Sequence, residues 1–186
     1  MTFDPARYRI RPATAADAVV VARHRVAMFR DMGILPAADA ERLAAASLRS
    51  LSTGLASGEY RGWLVELDGA VVAGAGLVLR ALLPRPGHLD GGVDAYVLNV
   101  YTEPAHRRRG LARALMEEVL AHCRAAGAAR VTLHASDEGR PLYTALGFAA
   151  TNEMERSVQD AFSSQQSAVS SDRLGRKKSG DGLADR

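Results

Sequence analysis

Residues 107–112, Arg107-Arg108-Arg109-Gly110-Leu111-Ala112, carry the clearest chemistry in the chain. They stand between a predicted strand and a predicted amphipathic helix, with Pro104 punctuating the turn before them. The first turn of a helix has N–H groups without intrahelical acceptors and the positive end of the helix dipole. An anion fits there, phosphate above all. Gly110 lets backbone approach a ligand with no Cβ in the way, and Ala112 keeps a second position small. The guanidinium groups add charge-assisted bonds to phosphate oxygens. Taken alone, the run also fits a solvated basic turn or an RNA-contacting patch.

Other reactive residue types point less far. Cys123 is the only cysteine, which rules out an intrachain disulfide, a cysteine-based zinc site and an iron–sulfur cluster. It falls on an apolar stripe with Ala112, Leu115, Met116, Val119 and Leu120, so it is expected to pack in the core. His24, His88, His106, His122 and His134 show no metal-ligand spacing. They are expected at the surface or satisfied by neighbours, and no metal is expected. Trp63 is expected in the core.

The elements that position residues 107–112 follow from periodicity. Residues 8–11 read as a strand stopped by Pro12. Thr14 and Asp17 form a capping-box pair before a helix over 15–31, with Val19, Ala22, Val26 and Phe29 on one face. A second helix runs from a cap at Asp39 to about residue 56. The period then becomes two. Residues 60–67 form a strand, Asp68-Gly69 a hairpin turn, and residues 70–83 a long second strand with a bend or bulge at Gly74 and Gly76. Further elements are a strand over 94–102, a helix over 109–126, a strand over 130–135 and a short helix over about 138–146. One or two terminal strands are expected from Phe148 to about Val158. The order β-α-α-β-β-β-α-β-α-β(β) predicts an α/β fold, a mixed sheet with helices on both faces.

At 186 residues, one domain accounts for the length. Hydrophobic residues at 47% and charged residues at 24% are globular values. The domain is placed at residues 1–158, and residues 159–186, rich in Ser, Gln, Asp and Gly, read as a disordered tail. The net charge of +3 is too weak to argue for nucleic acid. Of 24 basic residues only Lys177 and Lys178 are lysines, a usage that points to a GC-rich bacterial genome. No apolar signal core and no membrane-length apolar run occurs, so a cytoplasmic protein without membrane contact is expected.

Two blocks together carry a resemblance. Arg107 to Ala112 fits the acyl-CoA signature Arg/Gln-x-x-Gly-x-Gly/Ala, led by Val100-Tyr101-Thr102-Glu103-Pro104, with Thr102 where valine is commoner. Residues 136–148, Ser-Asp-Glu-Gly-Arg-Pro-Leu-Tyr-Thr-Ala-Leu-Gly-Phe, fit the second block, with Ser136 where asparagine is usual. The chain resembles the GCN5-related N-acetyltransferase (GNAT) superfamily over about residues 8–158. The resemblance implies an enzyme that moves an acetyl group from acetyl-CoA directly to a primary amine of a small molecule or peptide. It implies that pantetheine runs along the strand at Val100, Tyr101 and Thr102. Arg107, Arg108, Arg109, Gly110, Leu111, Ala112 and Arg113 would hold the pyrophosphate, and Ser136 would also face the cofactor. Tyr143 takes the role of general acid to the leaving thiolate. Glu103, at the strand end, is a candidate base, with Asp94, Tyr96 and Asn99 on the same strand. Met28, Phe29 and Asn99 are expected to shape the acceptor pocket, and a homodimer stays open. The alternative function is a non-catalytic acyl-CoA-binding sensor on the same fold. Nucleic-acid binding through the arginines is disfavoured, because the cofactor phosphates already account for them.

Overall fold

The computed structural model describes residues 3–84 and 86–156. The elements are β1 (Arg9–Pro12), α1 (Ala18–Asp31), α2 (Ala40–Ser57), β2 (Tyr60–Leu67), β3 (Ala70–Leu82), β4 (Gly92–Thr102), α3 (Leu111–Ala125), β5 (Ala128–Leu133) and α4 (Arg140–Ala145). The strands lie in the order β1-β2-β3-β4-β5. The first four pair antiparallel, and β5 pairs parallel to β4 after the α3 crossover.

Strand alternation divides the core in two. Tyr60 and Leu64 of β2 join Ala18, Val21 and Ala22 of α1 and Leu51 of α2 in one cluster. The next residue along from Leu64 faces the other way. That opposite face is covered by α3, which packs on β2, β3, β4 and β5 and sets His122 against the Trp63 ring at 5.1 Å. Leu115, Met116, Val119 and Cys123 on α3 are fully buried, and burial pushes the Cys123 thiol up from its ordinary pKa. Each such aliphatic side chain contributes about 1.5–3 kcal/mol.

Several sequence expectations shift. Pro12 does not stop β1 but ends it, paired with Trp63. It is tolerated because β1 is an edge strand, where a missing N–H breaks no ladder. Asp17 accepts the Thr14 N–H at 2.7 Å as expected, but residues 15–17 form a 3-10 turn and α1 begins at Ala18. Val19 is 66% exposed, and the inward stripe is Ala18, Val21, Ala22 and Val26. The terminal strand expected from Phe148 does not form in residues 148–156. Ala149, Ala150, Asn152, Glu153 and Glu155 are poor strand formers, and Met154 is 94% exposed. Ser157, Val158 and the expected tail lie outside the described residues. Met1–Gly147 form one compact unit, and Phe148–Arg186 belong to a second. Among the described residues no helix is long and apolar enough to cross a membrane.

Gly76 is fixed by close approach. A Cβ there would meet the Tyr60 Oη at 2.1 Å, and that hydroxyl is held by the Asn99 Nδ2 at 3.1 Å. Gly76→Ala is therefore expected to lower unfolding free energy by about 1–3 kcal/mol through overpacking. Urea denaturation followed by circular dichroism measures it, and an unchanged midpoint would show that Tyr60 has room to move.

Candidate active site

The site begins where two parallel strands part. Pairing between β4 and β5 ends at Val97 and Leu133, yet β4 continues to Thr102. Asn99 takes a left-handed φ of 54°, and the β3 partner slips register between Gly74 and Gly76. Asparagine tolerates that conformation better than most residues, and such a bulge bends a strand. Residues 98–102 thus keep β3 on one side and have no strand on the other among the described residues. An unpaired strand edge is a template for an extended, amide-bearing ligand.

The loop leaving β4 builds an anion cradle. A 3-10 turn, Pro104–His106, is followed by Arg108 at φ 62° and Gly110 at φ 80°, and Gly110 starts α3. Among the described residues, the first N–H of this turn to reach a helical carbonyl is that of Ala114, on Gly110 at 3.0 Å. Among the described residues, the N–H groups of residues 108–113 before it have no backbone acceptor. Successive N–H groups in such a turn form an anion-binding concavity, reinforced by the helix dipole. Leu111 is 1% exposed, so it anchors the turn in the core and offers only its backbone. Ala112 stays half-buried, and Arg113 pairs loosely with Glu117 at 3.9 Å.

The three arginines divide in role. Arg107 donates from Nε to the Thr102 carbonyl at 3.0 Å and pairs with Asp31. Arg109 donates to the Tyr8 hydroxyl and the Ala105 carbonyl, each at 3.2 Å. Both brace the turn; Arg107 and Arg108 are exposed and Arg109 is half-buried. Thr102 also has a buried Oγ1 without a partner among the described residues.

The loop leaving β5 emerges at the same end of the sheet, because the two strands are parallel. It carries α4 and Tyr143, which is 9% exposed. Its ring lies so close to Gly139 that a Cβ there would meet Cε2 at 2.9 Å. Burial raises the Tyr143 phenol above its ordinary pKa, which keeps the hydroxyl protonated. Ser136 accepts the Gly139 N–H on its Oγ at 3.1 Å and the Arg140 N–H on its carbonyl at 2.9 Å. Ser136 therefore shapes the turn that presents Tyr143.

On the α1 side, His24 is 3% exposed and sits 5.2 Å from the Tyr101 ring. Its Nε2 meets the Glu103 Oε1 at 3.3 Å, and Arg23 donates to the same oxygen at 2.9 Å. Burial lowers the His24 pKa, and the Glu103 bond opposes that only in part. A neutral ring facing an acceptor-only carboxylate carries its hydrogen on Nε2. Nδ1 is then a bare acceptor with no hydrogen-bond partner among the described residues. His24, Tyr60, Leu64, Gly74 and Asn99 line a small cavity there, with Val21 and Ala75. Asn99 accepts from Arg25 Nη1 at 2.5 Å, and the Arg25 guanidinium lies 4.7 Å over the Phe29 ring. Burial pushes the Tyr60 phenol up to about 12.

Residues 31–148 match the family model described as the acetyltransferase (GNAT) family. The chain belongs to that family. A solved GCN5-related N-acetyltransferase from Ralstonia eutropha is 37% identical, with a TM-score of 0.75 over 81% of this chain and 98% of that one. A predicted acetyltransferase from Clostridium acetobutylicum, solved with acetyl-CoA, is 25% identical, with a TM-score of 0.73 over 81% of this chain and 95% of that one. The glucosamine 6-phosphate N-acetyltransferase of Trypanosoma brucei brucei is 30% identical over 88 residues, 47% of this chain. The match spans 57% of that curated relative's length.

In this GNAT chain, the residues singled out in sequence fall into two groups. Val100, Tyr101 and Thr102 lie on the free strand edge, residues 108–113 in the cradle with Arg107 bracing it, and Tyr143 on the adjoining loop. Met28 and Phe29 are half-buried on α1. Asp94 is taken by Arg130, whose Nη2 approaches to 2.6 Å, and the Tyr96 hydroxyl by His134 at 2.6 Å. The sequence puts Arg23, His24 and Arg25 on the first helix with Phe29, where the resemblance sets the acceptor pocket and a plain solvated face is the alternative, but it does not disclose the partners of His24 and Arg25. Among the described residues no cluster of three His, Cys, Asp or Glu could hold a metal.

Proposed function

We propose that this chain transfers an acetyl group from acetyl-CoA to the primary amine of a small molecule or peptide. One observation carries the reading. The N–H cradle of residues 108–113 adjoins the unpaired edge of β4, giving a phosphate site and an amide-bearing edge in line. Acetyl-CoA has both chemistries, and the Clostridium neighbour, solved with acetyl-CoA, supports the fit. The cofactor would supply an activated thioester. The cradle would hold its pyrophosphate, Val100 and Thr102 would pair with its pantetheine amides, and the backbone N–H near Tyr101 would face the carbonyl oxygen. His24 Nδ1, oriented by Glu103, would accept the amine's proton, and the Tyr143 hydroxyl would donate to the departing sulfur. Glu103 itself is the weaker base, because Arg23 and His24 already share its Oε1.

Acetyl-CoA added at about 100 times its dissociation constant should stabilise the protein by about 2.7 kcal/mol. Incubation with acetyl-CoA and a panel of amines should release free thiol in step with N-acetylated product. A thermal shift without thiol release from any amine would favour a cofactor-binding sensor. Absence of both would remove the acetyltransferase reading.

A further inference from the structure

Among the described residues, Arg25 is a cation without a counter-ion at the acceptor side of the slot. Its side chain is half-buried between α1 and β4. Of its five donor hydrogens, one is used among the described residues, from Nη1 to the Asn99 Oδ1. The Phe29 ring holds the guanidinium plane from one side. Burial lowers its pKa, and only the Tyr60 and Tyr96 hydroxyls act against that. Among the described residues no carboxylate pairs with Arg25. Three acids of α1 and β4 and the turn after it pair with other cations: Asp31 with Arg107, Glu103 with Arg23 and His24, and Asp94 with Arg130.

A partly desolvated guanidinium is costly unless an anion meets it. Here no such anion belongs to the described residues, and the planar fork suits a phosphate or carboxylate. The bond to Asn99 ties the guanidinium to the bulge of β4, beside the edge assigned above to the thioester. The face it occupies belongs to α1 and α2, opposite the face covered by α3.

We infer that Arg25 is the anion-binding residue of the acceptor site, so the acceptor is an amine that also carries a phosphate or carboxylate. This rests on the acetyl-transfer reading for the identity of the slot, but the binding can be measured without turnover. The protein loaded with CoA is titrated calorimetrically with two matched pairs, glucosamine 6-phosphate against glucosamine and alanine against alaninamide. The pairs separate a phosphate source from a carboxylate source.

At least one anionic member should bind about tenfold or more tighter than its neutral partner, as a charge-assisted bond of this kind implies. Arg25→Gln should abolish that preference while acetyl-CoA still shifts the melting temperature as in the wild type. Arg25→Lys keeps the charge without the fork and should fall between. It carries the test should Arg25→Gln fail to fold. Equal binding within both pairs, a preference that survives in Arg25→Gln or stays undiminished in Arg25→Lys, or no binding of either anionic probe would overturn the assignment. Arg25-dependent binding with no thiol release would instead sink acetyl transfer and leave the anion site standing. Acetylation of charged and neutral amines alike would do the reverse.

Discussion

Tyr143→Phe should lower kcat by about 10²-fold or more, within the range typical of a lost general acid, and leave acetyl-CoA affinity within about twofold. The departing thiol has a pKa of roughly 8.5, so a poised proton matters at neutral pH. Tyr143 can supply it because burial lifts its pKa above the ordinary value near 10, and the hydroxyl stays protonated through the working range. Phenylalanine keeps the ring beside Gly139, so the substitution takes away the hydroxyl group while the ring stays in place. A raised phenol pKa also fixes a sign. Tyr143 supports the folded state below pH 10 and loses that contribution as pH rises from the unfolded value through the folded one. Steady-state kinetics by thiol release, with cofactor affinity from calorimetry, make the measurement. Unchanged turnover in the variant would take Tyr143 out of the mechanism.

The features legible in the sequence are those set by neighbours along the chain. Gly110 and the arginines before it mark a strand-to-helix turn, and the turn's N–H groups do line up as that spacing requires. Gly74 and Gly76 bracket the register slip of β3 for the same local reason. What the sequence does not show is a partner far along the chain. The guanidinium of Arg107, expected at phosphate, pairs with Asp31, 76 positions earlier. His24 meets Glu103 79 residues on, and Arg25 meets Asn99 74 residues on. No hydrophobic period encodes such pairs. They arise when β4 docks beneath α1, which places the ends of two separate elements on one side of the slot. The strand expected from Phe148 is absent from residues 148–156 for a local reason, because the composition of residues 149–155 does not support one.

His24→Gln should lower kcat/KM for the amine by roughly 10²-fold, the scale of a missing base. The amide can still donate to the Glu103 carboxylate from the place of Nε2, so orientation is kept while the proton acceptor is lost. The pH profile separates catalysis from structure. If attack needs both a neutral amine and a neutral imidazole, log kcat/KM falls with decreasing pH at slope one through the amine's pKa. It then steepens toward slope two below the pKa of His24. Burial places that second break under the ordinary value of 6.5. In His24→Gln the steepening disappears and slope one continues. A wild-type profile that never exceeds slope one would mean His24 is structural. Stability gives an independent sign. With the folded-state pKa depressed, both states are neutral above pH 6.5 and His24 has no effect. Below that, only the unfolded chain takes the proton, so stability falls as pH drops toward the folded value. His24→Gln should flatten that part of the curve. A variant slow at every pH but unfolding on the wild-type acid slope would show that the base is elsewhere and that another group sets the acid limit.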